Sequence, residues 1–201
     1  MKLHWSPKSP FVRKVVVCAH ELGLHDRIEC VRTVAALRVP NPVLMADNPL
    51  SKIPTLVLPD GRTLMDSAVI CEYLDAMAGG GLFPAPGPAR WTALRWQALA
   101  DGLLDLLLLW RNERERTHAE PAVLEAYARK AEATLALLER ECGQLAREPL
   151  TIGQLALGCA LGYLDYRFAD YGWRQRAPAL ARWHAVLMAR PAFVRTEPVE
   201  G

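Results

Sequence analysis

The chain has no apolar run long enough to cross a bilayer. Its longest, Leu103 to Trp110, is broken by Asp105 and falls far short of the ~20 residues that a helical span needs. Neither sign of charge is in excess: 24 Lys and Arg stand against 22 Asp and Glu, a formal +2, interspersed along the chain. That balance argues against nucleic acid or an anionic membrane surface as a partner. The cysteines lack any paired spacing. Cys18, Cys30, Cys71, Cys142 and Cys159 are scattered and odd in number, which indicates neither a zinc site nor a dithiol, and leaves free, mostly buried thiols as the expectation. The opening MKLHWSPKSP carries no apolar core of the ~7–15 residues found in secretory leaders. These absences together predict a soluble, cytoplasmic protein without a bound metal.

What is present is a core-forming composition, 51% hydrophobic over 201 residues. One Gly- and Pro-dense stretch, Ala78 to Pro88, cannot continue a helix and divides the chain. The division predicts a domain over 1–78, a linker over 79–88 and a second domain over 89–201. Before the linker, strand-like and helix-like segments alternate. Lys2 to Trp5 reads as a strand and Pro10 to Leu22 as a helix, with Pro at its first turn and Gly23 as the stop. Ile28 to Thr33 reads as a strand, and Ala35 to Asn48 as irregular, broken by Pro40 and Pro42. Thr55 to Leu58 and Arg62 to Met65 form a hairpin about Pro59-Asp60-Gly61, and Ser67 to Met77 is helical. The order βαβ-ββα gives a small α/β layer on a mixed sheet.

After the linker the pattern is helical throughout: Ala89 to about Glu115, Pro121 to Ala146, Ile152 to Ala169 and Pro178 to Ala189. Thr151 and Gln154 have the spacing of a capping box. The run from Leu155 to Tyr163 is apolar on nearly every face, the mark of a helix buried at the centre of a bundle.

Two motifs bear on chemistry. Ser9 falls at the cap of the first helix, where unpaired N–H groups and the positive dipole end favour an anion. Its hydroxyl either caps the helix or donates to a bound anion such as a thiolate, and Ser6 is the runner-up for that role. No His or Asp lies in sequence reach to make a Ser9 triad. In the second motif, Asn48 to Leu74, Ile53-Pro54 opens a strand with a peptide bond that can be cis. The Ile53 backbone would then face an extended peptide, as in strand addition. Asp66-Ser67 opens a helix, so that Asp66 either caps it or takes an ammonium group, while Ser67 and nearby amides hold a carboxylate. These groups fit a ligand with an amide in its middle and an amino-acid end.

Ser9-Pro-Phe-Val-Arg-Lys-Val, Asn48-Pro-Leu-Ser-Lys-Ile-Pro-Thr-Leu, Asp66-Ser67 and the Leu150-Thr-Ile helix start resemble, in order and spacing over essentially the whole chain, the cytosolic glutathione S-transferase superfamily in its bacterial, serine-type form. The resemblance implies a thioredoxin-like N-terminal domain with a mixed four-stranded sheet, an all-α C-terminal bundle, homodimerisation and glutathione as co-substrate. It implies backbone pairing of Ile53, beside Pro54, with the cysteinyl unit, Lys52 near the glycyl carboxylate, and Asp66 and Ser67 at the γ-glutamyl end. Ser9 stands where other branches carry Cys, and Ser cannot form a mixed disulfide, so thiolate stabilisation remains as its role. An electrophilic small molecule would be the second substrate, lying between the domains near Trp91, Trp96 and Trp110, residues that at helical spacing also suit a core. Asp101 would reach the partner's ligand in a dimer.

The chain departs from the family pattern in Gln154, where Asp is usual, and in Ser51, where Gly is common. Two other classes of function fit the same residues. One is a non-catalytic binding module docking through the charged run Arg111 to Arg116; the other is a glutathione-dependent lyase, isomerase or reductase.

Overall fold

The computed structural model describes residues 1–200. They form two compact units, one comprising Met1–Pro86 with the chain from Pro191 onward, the other Gly87–Arg190.

The first unit is built on a four-stranded sheet of order β2-β1-β3-β4, from β1 (Lys2–Trp5), β2 (Glu29–Arg32), β3 (Thr55–Val57) and β4 (Thr63–Leu64). β1 runs parallel to β2 and antiparallel to β3, and β3 is antiparallel to β4. This is the mixed sheet expected from the alternation of strand and helix signals. α1 (Pro10–Glu21), α3 (Ser67–Ala78) and the short α9 (Pro191–Val194) belong to the same unit. Leu3 and Leu56 are directly opposed across β1 and β3 and are fully buried. With Val15 and Cys18 of α1 and Ile70, Cys71 and Leu74 of α3, all at 0% exposure, they form its core. α9 is tied to α1 through Arg13, whose Nη2 donates to the Phe193 carbonyl at 3.3 Å and whose guanidinium lies over the Phe193 ring.

Local chemistry sets the ends of these elements. Pro10 occupies the first turn of α1, where no N–H is required of it. Gly79 ends α3 in the left-handed conformation, with φ of 94°, a shape that costs glycine little. The segment read as irregular proves to contain α2 (Pro42–Asp47). Its prolines mislead because Pro42 sits in the first helical turn, while the Asn41 side chain accepts from the Val43 and Leu44 amides at 3.0 and 3.3 Å. The strands are shorter than the pattern suggests: the second covers Glu29–Arg32 rather than Ile28 to Thr33, and the fourth only Thr63–Leu64.

The second unit is helical: α4 (Pro88–Arg114), α5 (Pro121–Arg147), α6 (Ile152–Arg167), α7 (Trp173–Arg176) and α8 (Pro178–Met188). Every residue of α6 from Ile152 to Leu164 is buried, as the all-round apolar sequence requires, and α6 ends at Arg167, short of Ala169. The Thr151 hydroxyl accepts from the Gly153 amide, and Gln154 reaches back to the Thr151 N–H at 2.9 Å, completing the capping box. Trp96 and Trp110 are core residues, 1% and 7% exposed, whereas Trp91 is 70% exposed. Cys18, Cys71, Cys142 and Cys159 are buried free thiols and Cys30 is exposed. No described helix is long and apolar enough to cross a membrane.

Candidate functional site

The sheet register gathers the candidate residues of the first unit at one end. β1 pairs His4 with Thr55, and β3 pairs Leu56 with Leu64. Continuing those antiparallel registers sets Pro54 beside Trp5 on one side and beside Asp66 on the other. The last turn before α1, the Lys52–Ile53–Pro54 segment and the start of α3 therefore share one edge. Two helix N-termini open there, each presenting unpaired amides and the positive end of its dipole.

Ser9 is the cap of α1. Its Oγ accepts from the Val12 N–H at 3.3 Å, which leaves the hydroxyl hydrogen free to donate. Ser6 lies three residues earlier in the same turn, its carbonyl accepting from the Ser9 N–H at 3.2 Å. Its Oγ accepts from Arg32 Nη1 at 2.7 Å, and the Lys8 N–H lies 3.5 Å away. Arg32, at the end of β2, carries no local signal in the sequence. Parallel pairing of Trp5 with Arg32 brings it to the site.

The Ile53–Pro54 peptide is cis, as is Met65–Asp66. Neither the N–H nor the C=O of Ile53 has a hydrogen-bond partner among the described residues. The loop behind it is held from inside by Asn48, 1% exposed. Asn48 Nδ2 donates to the Lys52 carbonyl at 3.1 Å and to Thr55 Oγ1 at 2.9 Å, and its Oδ1 accepts from the Leu50 N–H at 3.0 Å. Ser51 has φ of 52°, the left-handed region that favours glycine. It stays there with its N–H bonded to the Asn48 carbonyl and its hydroxyl accepting from the Asn41 N–H at 3.0 Å. The Lys52 side chain is exposed and forms no ion pair among the described residues.

Asp66 caps α3, Oδ1 accepting from the Ala68 N–H at 2.9 Å. Its carboxylate is exposed, whereas the adjoining Ser67 is 2% exposed. Ser9, Ile53, Pro54, Asp66 and Ser67 thus converge, with Lys52 at the rim. Asp101 lies on α4 of the second unit. No group of three or more His, Cys, Asp or Glu side chains among the described residues is placed to hold a metal ion.

Behind the rim lies a cluster that the sequence reading missed. His4, 2% exposed, has Nδ1 2.9 Å from Thr33 Oγ1 and Nε2 2.7 Å from Asp47 Oδ2. Lys2 Nζ approaches the same carboxylate oxygen at 3.1 Å. The hydrogen bond from His4, followed by that from Lys2, holds the Asp47 carboxyl below the usual carboxylate range.

Residues 8–77 match the family model "Glutathione S-transferase, N-terminal domain", and residues 121–185 the model "Glutathione S-transferase, C-terminal domain". The chain is 32% identical over 203 residues to the GST-like protein YibF of Escherichia coli K12, covering 98% of each. A crystal structure of a glutathione transferase family member from Pseudomonas fluorescens Pf-5 with bound glutathione is 39% identical, with 99% of each chain covered and a TM-score of 0.95. The family member from the same strain, with bound S-(propanoic acid)-glutathione, superposes with a TM-score of 0.88 at 39% identity over the full length of both chains.

Proposed function

Because the chain belongs to the glutathione S-transferase family, we propose that it binds glutathione along the Lys52–Ile53–Pro54 rim and stabilises the thiolate with Ser9 for attack on an electrophilic small molecule. The observation that carries this reading is the meeting, at one end of the sheet, of an unpaired Ile53 main chain with two helix N-termini.

In this reading the cysteinyl unit adds to the Ile53 backbone as a one-residue strand. The γ-glutamyl ammonium takes the Asp66 carboxylate, its carboxylate takes Ser67 and the first amides of α3, and the glycyl carboxylate meets Lys52. The sulfur then lies by Ser9, which donates its free hydroxyl hydrogen while the α1 dipole adds positive potential. A charge-assisted bond of this kind contributes about 1.5–3 kcal/mol, which lowers a thiol pKa by about one to two units. The thiol proton leaves to solvent, the thiolate attacks the electrophilic carbon, and the leaving group departs or the acceptor is protonated. Ser9 forms no covalent bond. The conjugate bound by the Pseudomonas relative, an S-alkyl glutathione, supports alkyl transfer as the chemistry; detoxification is the role we propose for it.

A homodimer in the cytoplasm completes the proposal. The exposed apolar side chains Val34, Leu37, Val39, Val43 and Leu50 of the first unit support a covered surface there. The reading as a docking module loses support from the run Arg111 to Arg116. There Arg111 pairs with Glu115, Arg116 with Glu113, and Arg114 with Asp170, the arrangement of a self-satisfied helix surface. Calorimetric titration with glutathione, followed by turnover against a panel of alkyl and aryl electrophiles, tests the reading. Saturable binding with conjugate formation supports it; binding without turnover on any electrophile favours a non-catalytic module.

A further inference from the structure

The cluster behind the rim ties three segments of the first unit together. The Thr33 hydroxyl, just past β2, lies 3.0 Å from the Val31 carbonyl and 2.9 Å from His4 Nδ1. On the other side, Asp47 Oδ2 receives Lys2 Nζ as well as His4 Nε2. An oxygen that draws an ammonium group is a carboxylate oxygen, so Nε2 donates to it.

The charged neighbours of His4 are few. Lys2 comes from its own strand and Asp47 from α2. β2 sets Val31 opposite His4 and exposed Glu29 opposite Lys2, while β3 contributes the uncharged Thr55 and Val57. Arg38, between β2 and α2, is exposed.

The contacts close a circuit. Asp47 is the last residue of α2 and Asn48 follows it. Asn48 bonds the Lys52 carbonyl and Thr55 Oγ1, and Thr55 is the strand partner of His4. We infer that His4 is a positioning residue, a buried ring that clamps the end of α2 to β1 and, through Asn48, sets the Lys52–Ile53–Pro54 rim. The clamp is a property of the first unit alone; its effect on glutathione rests on the function proposed above.

The test uses the full-length, 15N-labelled protein at neutral pH. His4→Gln and Asp47→Asn, each with a fold confirmed by circular dichroism, are expected to speed amide exchange at Lys52, Ile53 and Thr55 by roughly tenfold. Asp47→Glu is expected to recover part of the protection. Unchanged exchange in folded Asp47→Asn overturns the positioning role. Glutathione affinity is read separately, with a loss of about tenfold expected in Asp47→Asn. Absence of binding to the wild type would refute the proposed function and leave the exchange to decide the clamp.

Discussion

Gly153 of α6 lies so close to Ala93 of α4 that a Cβ built on it would stand 2.7 Å from the Ala93 carbonyl oxygen and 2.8 Å from Trp96 Cβ. Both obstacles are backbone or the base of a side chain, and neither can swing aside.

Gly153→Ala is therefore expected to destabilise the protein by about 1–3 kcal/mol, the range for overpacking a close-packed core. Urea unfolding monitored by tryptophan fluorescence checks it. The midpoint should fall with an unchanged slope; a midpoint equal to wild type would mean that α4 and α6 are not in such close contact.

Glu141 provides a pH-dependent contribution in the second unit. Its carboxylate takes Arg95 through both oxygens, at 2.6 and 2.9 Å, and accepts from Trp96 Nε1 at 2.8 Å. The bonds from Arg95, ahead of that from Trp96, hold its pKa below the usual carboxylate value. A carboxyl depressed in the folded state stabilises that state fully above its unfolded pKa, and the contribution disappears as pH falls through the folded value. Stability should thus decline below about pH 4.3, and Glu141→Gln should flatten that decline. Thermal unfolding across the acid range is the measurement, and an acid slope unchanged by the substitution contradicts the assignment.

Capping and ligand binding at Asp66 can be separated. Asparagine caps about as well as aspartate, so Asp66→Asn is expected to keep the α3 cap and nearly all of the stability while losing the charge that the γ-glutamyl ammonium would meet. Asp66→Ala is expected to lose the cap as well, at about 0.5–2 kcal/mol. Paired denaturation and glutathione titrations check both. Equal affinity in wild type and Asp66→Asn would remove Asp66 from the ligand contacts.

Helix caps were legible in the sequence because their chemistry is local. Ser9, Asp66 and the Thr151–Gln154 pair each act on amides within three residues. Gln154 replaces the usual Asp without loss of the box, since its longer side chain reaches both the Thr151 N–H and, through Nε2, the Pro149 carbonyl at 2.8 Å. The short α2 was missed because Pro42 reads as a breaker anywhere except in a first turn. The three tryptophans show a different limit. Five residues of helix turn Trp91 roughly 140° from Trp96, whereas the fourteen to Trp110 return it to within roughly 40°, so one faces solvent and two the core.

The rest of the site was out of reach for a reason of distance. His4 meets Asp47 across 43 residues, and Arg32 meets Ser6 across 26. The second follows from the pairing of β1 with β2 and the first from the end of α2 meeting β1, and no window of neighbouring residues contains either. The one local sign was the alternation Lys2-Leu3-His4-Trp5, which puts Lys2 and His4 on the same sheet face and calls for an acidic partner there.

The central claim is that Ser9 holds a bound sulfur negative. Its most direct test is an ultraviolet titration of thiolate absorbance for glutathione bound to wild type, Ser9→Ala and Ser6→Ala. The bound sulfur should ionise about one to two pH units below the free tripeptide. Ser9→Ala should abolish that shift and Ser6→Ala should leave it. A bound sulfur that titrates like free glutathione, or a shift that is lost with Ser6 and kept without Ser9, would contradict the account.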